Sequence, residues 1–408
     1  MHMYRSSKVF KGIAIGAASL ALIWLAVVVG LANIARSHPA QAFAFRDFND
    51  ARLMGRHSEM ILVSSQNPLA ISKATKLAKA ALKRDPTVVS AIRTLAAVHE
   101  LKAERVSALR LMRYSEAMSR RDFPTHFWLI DYEANQNNVA KALDHYDAAL
   151  RTSSAAEPIL IPILLDALDS TDLLRPLAKV LSRKPAWAMK FVSRAISESK
   201  SSEKLLELAF LLRAQNFEID PEPLEVLMNR AVSDNLYAEA LQLSRRPAQS
   251  FGIYNHEFDQ EPKYAPFDWA LTADDDLGSE ILIEENSPDR HRLLLYGSSG
   301  RSGIVAKQLL LLTPGKYVLR ATVSQVPQAL PDRPFISVGC SGKEGSLLTK
   351  TNFPATPNKP NRLYAVVNIP SQNCRAQWLY ISVRASNRIG GTQSFIHNAS
   401  IRRWTLDD

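Results

Sequence analysis

Cysteine is scarce in this chain, and the short motifs that identify common enzymes are missing. Only 2 of the 408 residues are cysteine, too few for a disulfide-stapled mini-domain or a four-cysteine zinc site. The sequence contains no Gly-x-Ser-x-Gly elbow, no His-Glu-x-x-His helix and no phosphate-binding glycine loop ahead of a helix. The acidic triplet Asp274–Asp276 lies in a polar stretch typical of a solvated turn. We therefore expect no enzymatic activity, no cofactor and no metal.

Acidic residues are outnumbered by basic ones. The chain has 40 Asp and Glu against 50 Lys and Arg, a net charge of +10. In an exported protein this excess favours anionic lipid headgroups or an acidic polysaccharide as partners, and nucleic acid is not expected there. The alternative is a scatter of surface Lys and Arg that serves no particular partner.

Charged residues are absent from residues 12–35, GIAIGAASLALIWLAVVVGLANIA. About 20 apolar residues suffice for a helix to cross the bilayer, and Arg5, Lys8 and Lys11 precede this run. The pattern predicts a cytoplasmic tail over 1–11, a transmembrane helix over 12–35 and a single-pass inner-membrane protein with its bulk in the periplasm. The alternative is a signal peptide cleaved near Ala40-Gln41-Ala42, although this apolar run is longer than usual for one.

Glycine is also scarce from residue 45 to 248, where Ala and Leu recur at helical spacing. A period of 34 residues relates three helical segments. It aligns small residues at two positions of each segment, namely Ala74, Ala108 and Ala142, and then Ala81, Ser115 and Ala149. Between these two positions lie Ala78, Met112 and Tyr146. These segments resemble the second helix of the tetratricopeptide repeat (TPR), with residues 138–153 the best match. The resemblance implies an all-α TPR-like solenoid.

A solenoid of this kind usually binds a protein partner in its concave groove. The alternative is a rigid spacer that separates the C-terminal region from the membrane. The aromatic residues of the best-defined repeats have helical spacing that favours core positions over ligand contacts; they are His126, Trp128, Tyr132, His145 and Tyr146. Helix starts are predicted at Lys184-Pro185 and Asp220-Pro221.

From residue 250 to 408 the pattern changes to short β-type runs separated by turn residues. Eight strands are predicted: 281–285, 291–296, 304–312, 317–323, 335–340, 363–369, 377–384 and 395–404. They predict an all-β antiparallel sandwich. The glycine-rich stretch 297–303 is predicted to close a hairpin. Cys340 and Cys374 are predicted to form a disulfide in an oxidising compartment, the alternative being two buried free thiols.

Several short segments of this region resemble carbohydrate-binding-module-like jelly rolls. They are Asn255–Phe258, Pro266–Trp269, Lys307–Leu309, Pro314–Tyr317 and His397–Ile401. Many such modules hold a structural calcium; here Asn398 stands where the last strand would supply an aspartate, so we expect none, although Glu257 and Asp259 are nearby. The Pro266–Trp269 segment is expected to plug one end of the sandwich. The order of anchor, TPR-like helices and sandwich resembles envelope proteins of alphaproteobacteria associated with exopolysaccharide synthesis and export.

Alternation along two predicted strands separates core residues from surface residues. In 377–384 and 362–369 the aliphatic side chains share one face, and aromatic and arginine side chains share the other. Flat rings and guanidinium groups suit sugar binding, which makes Trp378, Tyr380, Tyr364, Arg362 and Arg384 the candidate carbohydrate platform. The alternative is an interface with the helices, since interfaces are also rich in Tyr, Trp and Arg.

These inferences favour a membrane-anchored periplasmic scaffold protein whose solenoid binds a protein and whose sandwich contacts glycan or its machinery. A direct carbohydrate-binding protein with the solenoid as a stalk is the alternative. A polysaccharide-modifying enzyme is the third hypothesis.

Overall fold

The computed structural model describes residues 50–170, 172–244, 252–284, 287–342, 346–356 and 359–405. The predicted tail and transmembrane segment, 1–11 and 12–35, lie outside these ranges. Among the helices that are described, none is both long and apolar enough to cross a membrane. The anchor therefore stays a prediction.

The described chain contains twelve α-helices followed by ten strands. The helices are α1 (Ala51–Ser64), α2 (Pro68–Arg84), α3 (Val89–Leu101), α4 (Arg105–Met118), α5 (Phe123–Asn135), α6 (Val139–Thr152), α7 (Glu157–Asp166), α8 (Leu174–Leu181), α9 (Ala188–Glu198), α10 (Ser202–Ala214), α11 (Pro221–Ser233) and α12 (Tyr237–Leu243). The predicted all-helical region is confirmed.

Helix ends follow ordinary capping chemistry. The side chain of Asp50 caps α1, Asn67 caps α2 and Asp122 caps α5, each accepting a hydrogen bond from a first-turn backbone N–H. Asn137 and Asn216 terminate α5 and α10 in the left-handed conformation. Helix α11 begins at Pro221 as predicted, whereas the start predicted at Lys184-Pro185 is wrong: Lys184 has a positive φ that closes α8, and α9 begins at Ala188.

The 34-residue period marks the buried faces of α2, α4 and α6. All nine positions in the three aligned sets are buried, and those equivalent to Ala81 are completely so. Helices α1 and α2, α3 and α4, and α5 and α6 pack as consecutive pairs. The pairing and burial are those expected from the spacing, while membership of the TPR family stays a prediction.

Contacts divide the chain into two compact units, Met1–Pro162 and Ile163–Asp408. The second unit contains α8–α12 as well as all ten strands. The predicted domain boundary near residue 248 therefore follows the change from helices to strands and not the division into units.

Two antiparallel five-stranded sheets form the predicted β-sandwich. Sheet A has the order β1-β4-β9-β6-β7, and sheet B has the order β2-β3-β10-β5-β8. The strands are β1 (Ala270–Leu271), β2 (Leu277–Glu284), β3 (Ser287–Gly297), β4 (Gly303–Leu310), β5 (Gly315–Ser324), β6 (Phe335–Cys340), β7 (Leu347–Asn352), β8 (Asn361–Ile369), β9 (Gln377–Val383) and β10 (Thr392–Arg403). Aliphatic side chains from both sheets form one core, which includes Leu295, Leu319, Val338, Leu379 and Ile396.

All eight predicted strands are present, with ends shifted by a few residues. Two strands were not predicted, because β1 has only two residues and β7 shows no clear apolar alternation. The hairpin predicted at 297–303 is wrong, because β3 belongs to sheet B and β4 to sheet A, so this segment crosses between the sheets. The predicted disulfide joins Cys340 to Cys374, with the two Cα atoms 5.1 Å apart.

Candidate carbohydrate-binding face

Strand β9 lies in the middle of sheet A, between β4 and β6. Leu379 and Ile381 point into the core and are completely buried, so Trp378 and Tyr380 project from the outer surface. Both aromatic residues are half-buried. The sequence alternation therefore predicted the orientation of β9 correctly.

The two rings form a continuous flat surface. Their centroids are 5.9 Å apart and their planes differ by 21°. The Nζ atom of Lys307 lies 5.2 Å from the centroid of the Trp378 ring. Because Lys307 pairs with Tyr380 across the β4–β9 ladder, the cation and both rings occupy adjacent positions on one surface.

The same surface continues across β6 and β7. Phe335 on β6 pairs with Ser382 on β9, and its ring lies 4.1 Å from Lys350 Nζ and 5.1 Å from Arg384 Cζ. A depression of about 480 Å³ is lined here by Phe335, Lys350, Ser382 and Arg384 among other residues. We call the outer surface formed by Lys307, Phe335, Lys350, Trp378, Tyr380 and Arg384 the aromatic face.

Arg384 has one paired and one unpaired hydrogen-bond donor. Its Nη2 donates to Asn352 Oδ1 at 2.6 Å, while its buried Nε has no hydrogen-bond partner among the described residues. A buried donor without an acceptor costs about 1–3 kcal/mol. The guanidinium is therefore held in place by Asn352 at the edge of the aromatic face.

The aromatic face is cationic. In the part of the chain that the structure describes, Lys307, Lys350 and Arg384 form no salt bridge with a carboxylate. Burial raises the pKa of Tyr380 further above neutral pH, where a tyrosine hydroxyl is in any case protonated and able to donate a hydrogen bond. Rings, hydroxyls and three positive charges together suit a ligand with apolar C–H faces and anionic groups.

The five residues predicted as one platform are not brought together. Trp378, Tyr380 and Arg384 are at the aromatic face, but Arg362 and Tyr364 lie on β8, the edge strand of sheet B. The outer surfaces of the two sheets face opposite ways, so this part of the prediction is corrected. Alternation indicates which side of a strand is exposed, but it does not reveal to which sheet that strand belongs.

Three residues of the aromatic face were missed: Lys307, Phe335 and Lys350. Alternation could have assigned Lys307 and Phe335 to the outer sides of their strands, whereas β7, which carries Lys350, has no clear alternation to read. Their proximity to Trp378 follows from the pairing of β4, β6 and β7 around β9, which a single strand does not encode.

Three other features noted in the sequence have structural roles and lie outside the aromatic face. Phe267 and Trp269 are buried, and Trp269 Nε1 donates to the backbone oxygen of Asn255 at 3.1 Å, as expected for a plug. Asp274–Asp276 are exposed in a turn where Asp276 N donates to Asp274 Oδ1. Asn398, the residue in place of a calcium-binding aspartate, accepts a hydrogen bond from the Thr322 hydroxyl at 3.2 Å.

A larger cavity of about 1140 Å³ lies beside the disulfide. It is lined by Asn235 and Tyr237 and by loop residues of the sandwich that include 311–314, Cys340 and 370–375. None of the five predicted platform residues lines it.

Comparison with known proteins gives structural similarity alone. No family model and no curated protein matches the chain. Solved structures similar to it include a protein described as "CBM4 structure and function" (10% identity, 37% of this chain and 99% of the other, TM-score 0.28). They also include the C-terminal family 22 carbohydrate-binding module of Clostridium thermocellum Xyn10B (14% identity, 38% of this chain and 97% of the other, TM-score 0.27).

A third similar structure is the enzymatically active domain of tailspike protein 4 from bacteriophage CBA120, at 12% identity and a TM-score of 0.28. The alignment covers 36% of this chain and only 21% of the tailspike chain. Identities and TM-scores this low carry no information on the function of this chain.

Proposed function

We propose that the β-sandwich binds an acidic polysaccharide at the aromatic face. The observation that supports this most directly is the stacked Trp378–Tyr380 pair, which adjoins cations that have no carboxylate partner among the described residues. The rings would pack against the C–H faces of sugar units. Lys307, Lys350 and Arg384 would pair with carboxylate or other anionic groups of the polymer.

In this proposal the protein is a non-enzymatic scaffold of the cell envelope. Residues 12–35 anchor it in the inner membrane, and the remainder of the chain is periplasmic. The helical repeats bind a protein partner, so that glycan and exopolysaccharide machinery are held near the same membrane site. The disulfide between Cys340 and Cys374 accords with an oxidising compartment.

The second candidate is a direct carbohydrate-binding protein whose helices serve as a stalk. It shares the aromatic face and differs in requiring no protein partner. Affinity capture with the full chain, and with a variant in which the aromatic-face side chains are replaced by alanine, separates the two. A partner retained by that variant supports the scaffold, whereas capture that depends entirely on glycan supports the stalk.

The binding proposal is tested with one polymer in two charge states. We expect the full chain to bind a polyuronate and to bind its fully methyl-esterified form at least about tenfold more weakly, since esterification removes the carboxylates and keeps the sugar rings. Raising the salt from about 50 to about 500 mM should weaken polyuronate binding because exposed charges are screened. Absence of binding across a panel of acidic glycans, or equal salt-independent binding to both forms, would contradict the proposal.

A further inference from the structure

Three helices of the first unit bring two histidines and a glutamate together. Glu116 comes from α4, His126 from α5 and His145 from α6. His126 is 2% exposed and His145 is 6% exposed, while Glu116 is half-buried. The candidate ligand atoms of the three residues all lie within 4.8 Å of one another.

The distances between these atoms resemble those in a metal coordination shell. His126 Nδ1 and His145 Nδ1 are 3.4 Å apart, and His145 Nδ1 is 3.2 Å from Glu116 Oε1. Two ligands bound to a tetrahedral zinc ion at 2.0–2.1 Å are separated by about 3.3 Å. Little movement of the three side chains would therefore be needed to admit an ion between them.

The tautomer of His126 is set by its second ring nitrogen. Its Nε2 donates to the backbone oxygen of Arg120 at 2.9 Å, which leaves the Nδ1 lone pair directed toward His145. A backbone carbonyl that accepts from the non-ligating nitrogen is the usual outer-shell support of a metal-bound histidine. His126 therefore has an unprotonated ligand atom and a fixed ring orientation.

Arg113 is the group that opposes a cation here. Its Nη1 lies 3.2 Å from His145 Nε2 and 3.1 Å from Glu116 Oε2, and its Nη2 contacts Glu133. In the metal-free protein His145 carries its proton on Nδ1, and Nε2 accepts from Arg113. A metal ion on Nδ1 moves that proton to Nε2, so the guanidinium must give up this one contact while it retains both carboxylates.

We propose that Glu116, His126 and His145 form a binding site for a divalent transition metal of the zinc class. Imidazole nitrogen and carboxylate oxygen are ligands that such ions accept. A water molecule would supply the fourth ligand, since Glu116 is only half-buried. The site belongs to the helical unit and is independent of glycan binding.

Metal binding is measured on the full chain after chelator treatment, by competition of Zn²⁺ with a fluorescent chelator. We expect one site per chain and at least about 100-fold weaker binding in His126→Gln and His145→Gln. His99→Gln is the matched control, because His99 pairs with Glu104 at 2.6 Å on an exposed surface without a second histidine. Circular dichroism verifies that the variants retain their helices.

The Arg113→Met substitution should change the Zn²⁺ affinity in the opposite direction. Removal of the opposing cation should tighten Zn²⁺ binding by about tenfold or more. A second readout needs no variant: Co²⁺ in the wild-type protein should produce the visible absorption of a tetrahedral site. No stoichiometric Zn²⁺ binding, no cobalt absorption, or unchanged affinity in both histidine variants would overturn the proposal.

Discussion

At the residue scale, His397 makes the stability of the sandwich sensitive to acid. Its Nε2 lies 2.8 Å from the Ser324 hydroxyl, and its Nδ1 lies 3.6 Å from Glu284 Oε1. Burial lowers the pKa of His397, and Arg292 adds to this effect, while Glu284 opposes it. The folded protein therefore takes up this proton less readily than the unfolded chain, in which the pKa is about 6.5.

The consequence is a loss of stability as the pH falls below about 6.5 through the lowered pKa. We expect His397→Gln to reduce the drop in urea midpoint between about pH 7.5 and about pH 5. The exposed His256→Gln is the control and should leave that drop unchanged. An identical pH profile for wild type and His397→Gln would show that this histidine does not contribute.

Residue-scale prediction from sequence succeeded where a local rule decides the outcome. The alternation of Trp378, Leu379, Tyr380 and Ile381 assigns their sides of β9 correctly because successive strand residues must point in opposite directions. It failed for Tyr364, whose side of β8 is also correct but whose strand lies in the other sheet. Glu116, His126 and His145 form no sequence motif, since their proximity arises only when three helices pack.

At the element scale, the disulfide ties the end of β6 to the loop before β9. Cys340 and Cys374 are separated by 34 positions, and a closed loop of this length corresponds to about 3–4 kcal/mol of stabilisation in the chain-entropy model. We expect Cys340→Ala together with Cys374→Ala to lower the unfolding free energy of the sandwich by roughly this amount.

Urea unfolding of the double variant, followed by tryptophan fluorescence, measures the change. Dithiothreitol should shift the wild-type midpoint toward that of the double variant and leave the double variant itself unaffected. A wild-type midpoint that is insensitive to reduction would contradict the role given to this bond.

Most elements could be predicted because their signals are local. The 34-residue spacing located the buried faces of α2, α4 and α6, and β-rich runs located eight of the ten described strands. The helix start predicted at Lys184-Pro185 was wrong because the residue before a proline can end one helix as readily as it precedes another. The hairpin predicted at 297–303 was wrong because a glycine-rich turn does not specify whether the next strand stays in the same sheet.

At the scale of the whole molecule, the chain combines a helical region and a β-sandwich. The change in composition near residue 250 predicted this order, since helices exclude glycine and sandwiches require turns. The division between Pro162 and Ile163 was not predictable, because it depends on which helices pack together and not on their sequence type.

The most direct test of this account compares two aromatic substitutions in the full chain, Trp378→Ala and Tyr364→Ala. Both side chains lie on outer strand faces, but only Trp378 belongs to the aromatic face. Calorimetric titration with a polyuronate should show binding at least about tenfold weaker in Trp378→Ala and within about twofold of wild type in Tyr364→Ala. Unchanged binding in Trp378→Ala, or an equal loss in both variants, would contradict the assignment of the glycan site to sheet A.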